Sequence, residues 1–178
     1  MTDSPKGNET TAMTAEEVPV EKVEKMMRRF MAGIKHSNVL GLELVEITPK
    51  GLIMKLPYSK SIIGNPQTGV IHGGAITTLM DQTLGMAAIR SIVPELDIAP
   101  TVDLRIDYMR AAEPNREVYA LAETYRTTRS VVFTRGVAYQ DSPDKPIANC
   151  VATFMRMGLG KALWSKDKSK ADNEEPKS

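Results

Sequence analysis

The sequence predicts an α+β fold in which an antiparallel sheet of about six strands wraps around one long central helix. The helix is predicted by a single apolar run, Ala75 to Val93, that contains one acid and no proline. The strands are predicted by two strand-like runs before it and four after it, which turn-forming residues separate. One long helix among antiparallel strands is buried most economically when the sheet curves around it.

The first half of the chain gives four elements in order. Apolar residues recur at helical spacing between Val20 and Ile34, with charged residues on the opposite side, and predict an amphipathic packing helix. Two apolar runs, Leu42 to Ile47 and Gly51 to Leu56, flank a turn and predict a hairpin. Residues 58–71 are rich in turn formers and predict an irregular loop that leads into the long helix.

The second half of the chain predicts four strands. In the first, apolar residues alternate with charged ones, so that one face should carry Val102, Leu104, Ile106 and Tyr108. Residues 117–124, 131–139 and 147–155 are the other three strand-like runs. Residues 1–17 and 159–178 are polar or charged and predict disordered tails, so residues 18–158 should form the single folded domain.

Composition excludes several classes of function. Lys plus Arg number 23 against 22 for Asp plus Glu, so no overall field attracts nucleic acid or an anionic membrane. A lone Cys150 and only two histidines argue against an intrachain disulfide and against a metal site. No apolar run approaches transmembrane length, and the N-terminus lacks an apolar signal segment, so we expect a cytoplasmic protein that requires no cofactor.

The residues that best suit a reactive site are His72, Gly73 and Gly74 at the start of the long helix. Glycines there let a ligand carbonyl approach the backbone without meeting a Cβ atom, and the free N–H groups of a first helical turn carry partial positive charge. Such a site suits a developing oxyanion. His72 could equally cap the helix or contact the ligand, whereas the close packing of neighbouring elements accounts for Gly74 and Gly85 better than a ligand contact does.

Asp81 is the only acid in the long helix, and an unexplained acid in a buried helix is a candidate functional group. The nine residues from His72 to Asp81 correspond to roughly 13 Å along the axis and to opposite sides of the helix. One chain therefore cannot easily bring the Gly73 N–H and the Asp81 carboxylate to the same small group. We expect a composite site at the interface of a homodimer, with a dimer of dimers as the larger assembly.

The His-Gly-Gly helix start with Asp81 in the same helix, the preceding Gly64-Asn65-Pro66 loop and the strand Thr101 to Met109 resemble the hotdog-fold acyl-CoA thioesterases of the PaaI-like group. The resemblance covers residues 38–157 and implies hydrolysis of an acyl-CoA to a free acid and coenzyme A, which is part of the substrate. It implies that the Gly73 N–H polarises the thioester carbonyl, while Asp81 serves as nucleophile or as general base for a water.

The resemblance also assigns the remaining site residues. Thr101 would orient the water or the acid, and Asn65 would bond near the reaction centre, beside His72. Gly74 and Val102 would line the substrate. The turn that carries Arg126, Arg129 and Ser130 would lie near the nucleotide of coenzyme A, although arginines on a turn are as often simply solvated.

Two other functions remain open. A non-catalytic acyl-CoA binding or sensing protein could use the same fold, although the carboxylate of Asp81 argues against it. A dehydratase or hydratase of this fold ranks last, because those enzymes pair a His with an acid and here the acid lies deep in the helix. The acyl group should lie in an apolar channel lined from the regions of Met80, Leu84 and Ile62-Ile63.

Overall fold

The computed structural model of the chain describes residues 19–48, 51–93 and 97–158, so both predicted tails lie outside the described residues. The elements run in the order α1 (Val20–Ala32), α2 (Lys35–Leu40), β1 (Glu43–Ile47), β2 (Gly51–Leu56), a 3-10 turn (Lys60–Ile62), β3 (Ile63–Asn65), β4 (Val70–Ile71), α3 (Gly73–Ser91), β5 (Thr101–Tyr108), β6 (Val118–Thr127), β7 (Val131–Tyr139) and β8 (Ala148–Met155).

Six strands form one antiparallel sheet in the order β1-β2-β6-β7-β8-β5. Helix α3 packs against β2, β5, β6, β7 and β8, so the sheet lies around it as the sequence predicted. The hotdog fold is therefore confirmed. Strand β5 follows α3 in the chain but joins the sheet at the far edge, beside the last strand. This topology brings the start of β5 and the middle of α3 into contact.

Helix α3 is the centre of the hydrophobic core. Nine of its nineteen residues are buried, and Leu79, Met80 and Leu84 are fully inaccessible. Replacing such a side chain with alanine typically costs about 2–5 kcal/mol of unfolding free energy. Met80 and Leu84, from whose regions we expect an acyl channel to be lined, are themselves fully buried in the core of the single chain, so neither side chain is exposed to a ligand there.

The N-terminal part differs from the sequence prediction. The first helix ends at Ala32 instead of Ile34, and a second helix, α2, follows after a short break. Helix α2 stops at Gly41, whose φ of 67° is the left-handed conformation that ends many helices. With six residues, α2 is too short to give a clear periodic signal, which is why the sequence did not predict it.

Residues 58–71 are also more regular than predicted. Strands β3 and β4 form a small antiparallel ribbon. The turn between them is closed by the backbone carbonyl oxygen of Asn65, which accepts hydrogen bonds from the N–H groups of Thr68 and Gly69. Gly69 has a φ of 72°, which favours glycine. Strands of two or three residues show no alternation, so the sequence indicated only turn formers.

A β-bulge interrupts the register of β5 on β8. Tyr108 to Asp103 pair in regular order with Ala148 to Thr153, but Phe154 then pairs with Thr101 rather than with Val102. The extra residue turns Thr101 toward α3 and leaves Val102 59% exposed. The predicted alternation, in which Val102 shares a face with Leu104, is therefore wrong at this point.

Close packing explains one glycine of α3. A Cβ atom at Gly85 would lie 3.2 Å from the ring of Phe154, which is itself fully buried on β8. Gly85 therefore lets the sheet approach the helix closely, and its predicted packing role is confirmed. No helix among the described residues is long and apolar enough to span a membrane.

Candidate active site

The first turn of α3 leaves one backbone donor free. The Gly74 N–H donates to Nδ1 of His72 over 2.9 Å, and the Ala75 N–H donates to the carbonyl oxygen of His72 over 3.0 Å. His72 therefore caps the helix with its side chain, one of the two roles left open by the sequence. Within the described residues the Gly73 N–H has no acceptor, which makes it the donor available to a ligand.

The other side of the Gly73 residue is anchored to β5. The Tyr108 hydroxyl donates to the Gly73 carbonyl oxygen over 2.6 Å, and the Thr77 hydroxyl lies 2.9 Å from the Tyr108 oxygen and 3.1 Å from the same carbonyl. A Cβ atom at Gly73 would lie 3.4 Å from the Tyr108 oxygen, an ordinary contact. A side chain at this position would therefore not clash, and the glycine instead leaves its own N–H accessible to a ligand.

The β3–β4 ribbon fixes the residue before this glycine. The His72 N–H donates to the carbonyl oxygen of Ile62 over 2.8 Å. Gly64 lies directly against the His72 backbone, because a Cβ atom there would come within 2.8 Å of the His72 Cα. A side chain at position 64 would displace the start of α3, so the loop that precedes the helix also determines where the free donor points.

Asp81 lies two turns further along α3 and is half-buried. The Thr101 hydroxyl donates to Oδ1 of Asp81 over 2.7 Å, within the same chain. A short charge-assisted hydrogen bond of this kind holds a carboxylate in one orientation. Since Oδ1 accepts from Thr101, Oδ2 is the oxygen that can accept from another molecule, such as a water.

Gly73, Thr77 and Asp81 are spaced four residues apart and share the side of α3 that faces β5. The predicted opposite sides refer to His72 and Asp81, whereas Gly73, the next residue, lies on the side of Asp81. Distance separates Gly73 from Asp81 instead, because eight residues of helix span about 12 Å. One chain does not bring both groups to a single carbonyl carbon.

Two cavities flank the start of α3. One, of about 380 Å³, lies on the Tyr108 side and is lined by Gly73, Ile76 and the chain that follows β5. The other, of about 320 Å³, lies between α2 and α3 and is lined by His72, Gly74 and Thr78 together with His36, Leu40 and residues 61–63. A third and larger cavity, of about 720 Å³, lies on the sheet face away from α3 and does not include Asp81 in its lining.

The structure brings some predicted site residues together and leaves others apart. Asn65 is exposed, and its Oδ1 accepts the Gln67 N–H over 3.0 Å, which stabilises the turn. Within the described residues no hydrogen bond joins Asn65 to Gly73 or Asp81, and its role stays a prediction. The same holds for Val102, which the bulge leaves exposed, and for Gly74, which lines the smaller cavity.

The turn between β6 and β7 is held by its own hydrogen bonds. The Thr128 hydroxyl exchanges hydrogen bonds with the backbone of Val131, which leaves Arg126, Arg129 and Ser130 exposed. Neither arginine takes part in an ion pair within the described residues. The three residues can therefore meet an anion, as the resemblance implies, although their role stays a prediction.

No group of three or more His, Cys, Asp or Glu side chains in residues 19–48, 51–93 and 97–158 is placed to hold a metal ion. Cys150 is buried on β8, and burial, followed by the negative charges of Asp81 and Asp107, raises the pKa of its thiol to about 12. A thiol with so high a pKa is a poor nucleophile at neutral pH. The reactive groups on this side of the sheet are the carboxylate and the backbone donor.

The comparisons with known proteins agree with this geometry. Residues 68–147 match the family model described as thioesterase superfamily. A protein of Pseudomonas aeruginosa, known from a crystal structure, is 54% identical, with a TM-score of 0.70 over 76% of this chain and 99% of that one. The chain belongs to the thioesterase superfamily.

The chain is also similar to two further proteins. The medium/long-chain acyl-CoA thioesterase YigI of Salmonella typhimurium is 25% identical over 138 residues, which cover 71% of this chain and 88% of that protein. The PaaI protein of Escherichia coli shares the fold, with a TM-score of 0.67 at 14% identity over 77% of this chain and 94% of that one. Membership in the thioesterase superfamily supports thioester hydrolysis as the general reaction.

Sequence reasoning missed two polar residues of the candidate site, Thr77 and Tyr108. Thr77 is one of several small polar residues in a mostly apolar helix, and Tyr108 lies at the end of a strand in which apolar and charged residues alternate, so neither stands out locally. Their significance depends on the crossing of β5 over the first turn of α3, which is a long-range contact. Helical spacing places Thr77 on the side of Asp81, but nothing local pairs it with Tyr108.

Proposed function

We propose that the protein hydrolyses an acyl-CoA thioester to the free acid and coenzyme A, in a homodimer whose two chains share each site. The relation of β5 to α3 supports this proposal most directly. Strand β5 contacts Asp81 at its first residue, Thr101, and contacts Gly73 at its last, Tyr108. Antiparallel pairing of two β5 strands would therefore bring Asp81 of one chain toward the Gly73 N–H of the other.

The exposed edge of β5 supports this mode of association. Among the described strands β5 is paired only with β8, so its other edge presents unpaired backbone groups. Val102, Tyr108 and Met109 are large apolar residues that are 59%, 48% and 61% exposed in the single chain. Asp103, Arg105 and Asp107 alternate in sign along the strand, so an antiparallel copy can place opposite charges across from each other.

The chemistry follows from the two ends of the site. Oδ2 of Asp81 accepts a proton from a water, whose oxygen attacks the thioester carbon. The carbonyl oxygen becomes an oxyanion and accepts a hydrogen bond from the Gly73 N–H of the other chain. The C–S bond then breaks, the acid is released, and the thiolate of coenzyme A takes up the proton. Thr101 keeps the carboxylate oriented by occupying Oδ1.

The β6–β7 turn suits the nucleotide end of coenzyme A. Thr127 lies against Ser91, with 3.3 Å between their hydroxyl oxygens, so the turn sits at the C-terminal end of α3. Along the helix this end is about 15 Å from Asp81 and roughly 27 Å from Gly73. Arg126 and Arg129 would therefore bind the phosphates in the same chain that supplies the carboxylate, with the pantetheine arm spanning the shorter distance.

Of the two cavities that flank the start of α3, the one on the His72 side is proposed to hold the acyl group. The cavity of about 320 Å³ between α2 and α3 has apolar walls from Leu40, Ile62 and Ile63 and opens beside His72. The predicted contribution of Ile62 and Ile63 to the acyl channel thus stays in the proposal, whereas that of Met80 and Leu84 does not. Similarity to a medium/long-chain acyl-CoA thioesterase makes medium-chain and long-chain acyl-CoAs the first substrates to test.

A dimer of dimers has a second surface available. The sheet face away from α3 carries the cavity of about 720 Å³, whose floor includes the apolar residues Leu121, Val137 and Val151. A concave apolar area on an open sheet face is a candidate contact surface for another chain. This face is the contact surface that we propose between dimers.

The proposal is tested by release of free thiol from short, medium, long and aromatic acyl-CoAs, measured with a chromogenic thiol reagent. Wild type should turn over at least one acyl class, and Asp81→Asn should lose at least ~100-fold of kcat while binding the same thioester. Equal turnover by wild type and variant would reject Asp81 as the catalytic group. Tight binding without turnover by wild type would assign the protein to the non-catalytic acyl-CoA binders.

A further inference from the structure

We infer that Tyr108 is a positioning residue for the Gly73 N–H, holding the donor in the direction that an oxyanion requires. The inference rests on the proposed function, because it assigns a task within that reaction. Tyr108 stands outside the pair formed by Asp81 and Thr101, at the opposite end of the same strand. Its hydroxyl reaches the first turn of α3 rather than any group of the sheet.

The hydrogen bonds around Gly73 are arranged so that the residue is fixed on both sides. On one side the His72 N–H is bound to the Ile62 carbonyl oxygen at 2.8 Å. On the other side the Gly73 carbonyl oxygen accepts from Tyr108 at 2.6 Å and from Thr77 at 3.1 Å. The free N–H lies between these two fixed points, and its direction follows from them.

Helix ends fray, and a donor at the first helical position loses orientation when the first turn loosens. Transition-state stabilisation by a backbone donor depends on the donor being aimed before charge develops. Gly73 has no side chain of its own to restrain it, so the restraint must come from neighbours. Tyr108 links this turn to a strand of the six-stranded sheet, which is a rigid reference.

The exposure of Tyr108 separates this role from core packing. The residue is 48% exposed in the single chain, and its hydroxyl oxygen would lie 3.4 Å from a Cβ atom at Gly73. Removing only the Tyr108 hydroxyl leaves the ring in place and takes away its hydrogen bond to the Gly73 carbonyl oxygen. Thr77, which contacts both Tyr108 and the Gly73 carbonyl oxygen, supports the same link from the helix side.

The test compares Tyr108→Phe with wild type on an acyl-CoA that wild type hydrolyses. We expect kcat to fall roughly tenfold with KM within about twofold, because the lost contact acts on the transition state and not on substrate binding. Tyr119→Phe is the matched control, since it also removes one phenolic hydroxyl bonded at the surface, 3.2 Å from Glu117. The control should keep wild-type kcat and KM.

A second measurement follows the donor directly. The backbone amide resonance of Gly73 in a ¹⁵N-labelled protein should shift in Tyr108→Phe and should stay unchanged in Tyr119→Phe. Thr77→Val should also shift this resonance and lower kcat. In the double variant Thr77→Val with Tyr108→Phe, the fold-loss of kcat should be smaller than the product of the two single fold-losses, because both hydroxyls support the same contact.

Three outcomes would overturn the inference. An unchanged kcat in Tyr108→Phe would show that the hydroxyl is not needed, and a rise of KM alone would make it a substrate contact. Failure to fold, or a lower Tm with unchanged turnover per folded molecule, would assign it to stability. Asp81→Asn measured in parallel keeps the proposed function separate, since full activity in that variant rejects the reaction scheme whatever Tyr108 does.

Discussion

The hydroxyl of Thr101 donates a hydrogen bond of 2.7 Å to the carboxylate of Asp81, although twenty residues separate them along the chain. The contact exists because β5 begins with a bulge that turns Thr101 toward α3. Bulges often re-aim a single side chain beside a functional site. Here the bulge converts an edge-strand residue into the partner of the only acid of the central helix.

Removing the Thr101 hydroxyl should impair catalysis without removing the carboxylate. Thr101→Val keeps the branched shape and should lower kcat by roughly tenfold, because Asp81 loses the bond that fixes its orientation. Thr101→Ser keeps the hydroxyl and should retain most of the activity. Steady-state kinetics on one acyl-CoA would decide this, and equal activity of the valine and serine variants would contradict the orienting role.

The Gly73 N–H can be removed with little change of shape. Proline is well tolerated at the first helical position, and His72 already has the extended conformation (φ −63°, ψ 133°) that a following proline requires. Gly73→Pro should lower kcat by about 100-fold through loss of the oxyanion donor. Gly73→Ala keeps the N–H and should retain far more activity, and similar losses in both variants would count against a role for the donor.

Subunit mixing tests whether the site is shared between chains. Asp81→Asn and Gly73→Pro chains, each inactive alone, should regain activity when mixed, because a mixed dimer has one site with both wild-type groups. A random mixture in equal parts should approach about a quarter of wild-type activity, since half of the dimers are mixed and each has one intact site. No recovery, with subunit exchange shown by mass spectrometry, would place both groups in one chain.

Cys150 should not react with the thiol reagent used to follow turnover. Its side chain is buried and its thiol pKa is raised to about 12, so about one molecule in ten thousand would be ionised at pH 8. Because the folded pKa is raised, reactivity should increase only as the pH rises toward 12 or as the chain unfolds. Labelling of the native protein within seconds at pH 8 would contradict this, and labelling in guanidinium is the positive control.

Much of the fold could be predicted because its strongest signals are local. The apolar run of α3 and the strand-like runs on either side of it have the length and periodicity of their elements. The role of Gly85 followed from its small size within a buried helix, and Phe154 is the side chain that uses this space. The position of β5 beside β8, in contrast, depends on sheet topology and not on local sequence.

The site could be predicted where an unusual residue type stands at an informative position in its element. Asp81 stood out as a lone acid, and Thr101 contacts it as the resemblance implied. One other residue was assigned to the wrong face of a strand. An alternating strand assigns each residue to a face only if the register is unbroken, and the bulge beside Val102 breaks it. No local residue pattern marked this bulge, so Val102 was assigned to the wrong face.

Coenzyme A recognition gives a prediction that separates binding from chemistry. Arg126 and Arg129 are exposed on the β6–β7 turn and take part in no ion pair within the described residues, so they can bind phosphate groups. Arg126→Ala with Arg129→Ala should raise KM for acyl-CoA by roughly tenfold and leave kcat nearly unchanged, because the contact is equally strong in the ground and transition states.

The matched control is an arginine of the same sheet that is already paired. Arg135 forms an ion pair of 2.6 Å with Glu123 on the outer face, so Arg135→Ala should leave KM unchanged. A short thioester of pantetheine, which lacks the nucleotide, should be hydrolysed equally by wild type and the double variant. The turn residues would lose their assigned role if KM for acyl-CoA did not change, or if hydrolysis of the pantetheine thioester fell to the same extent.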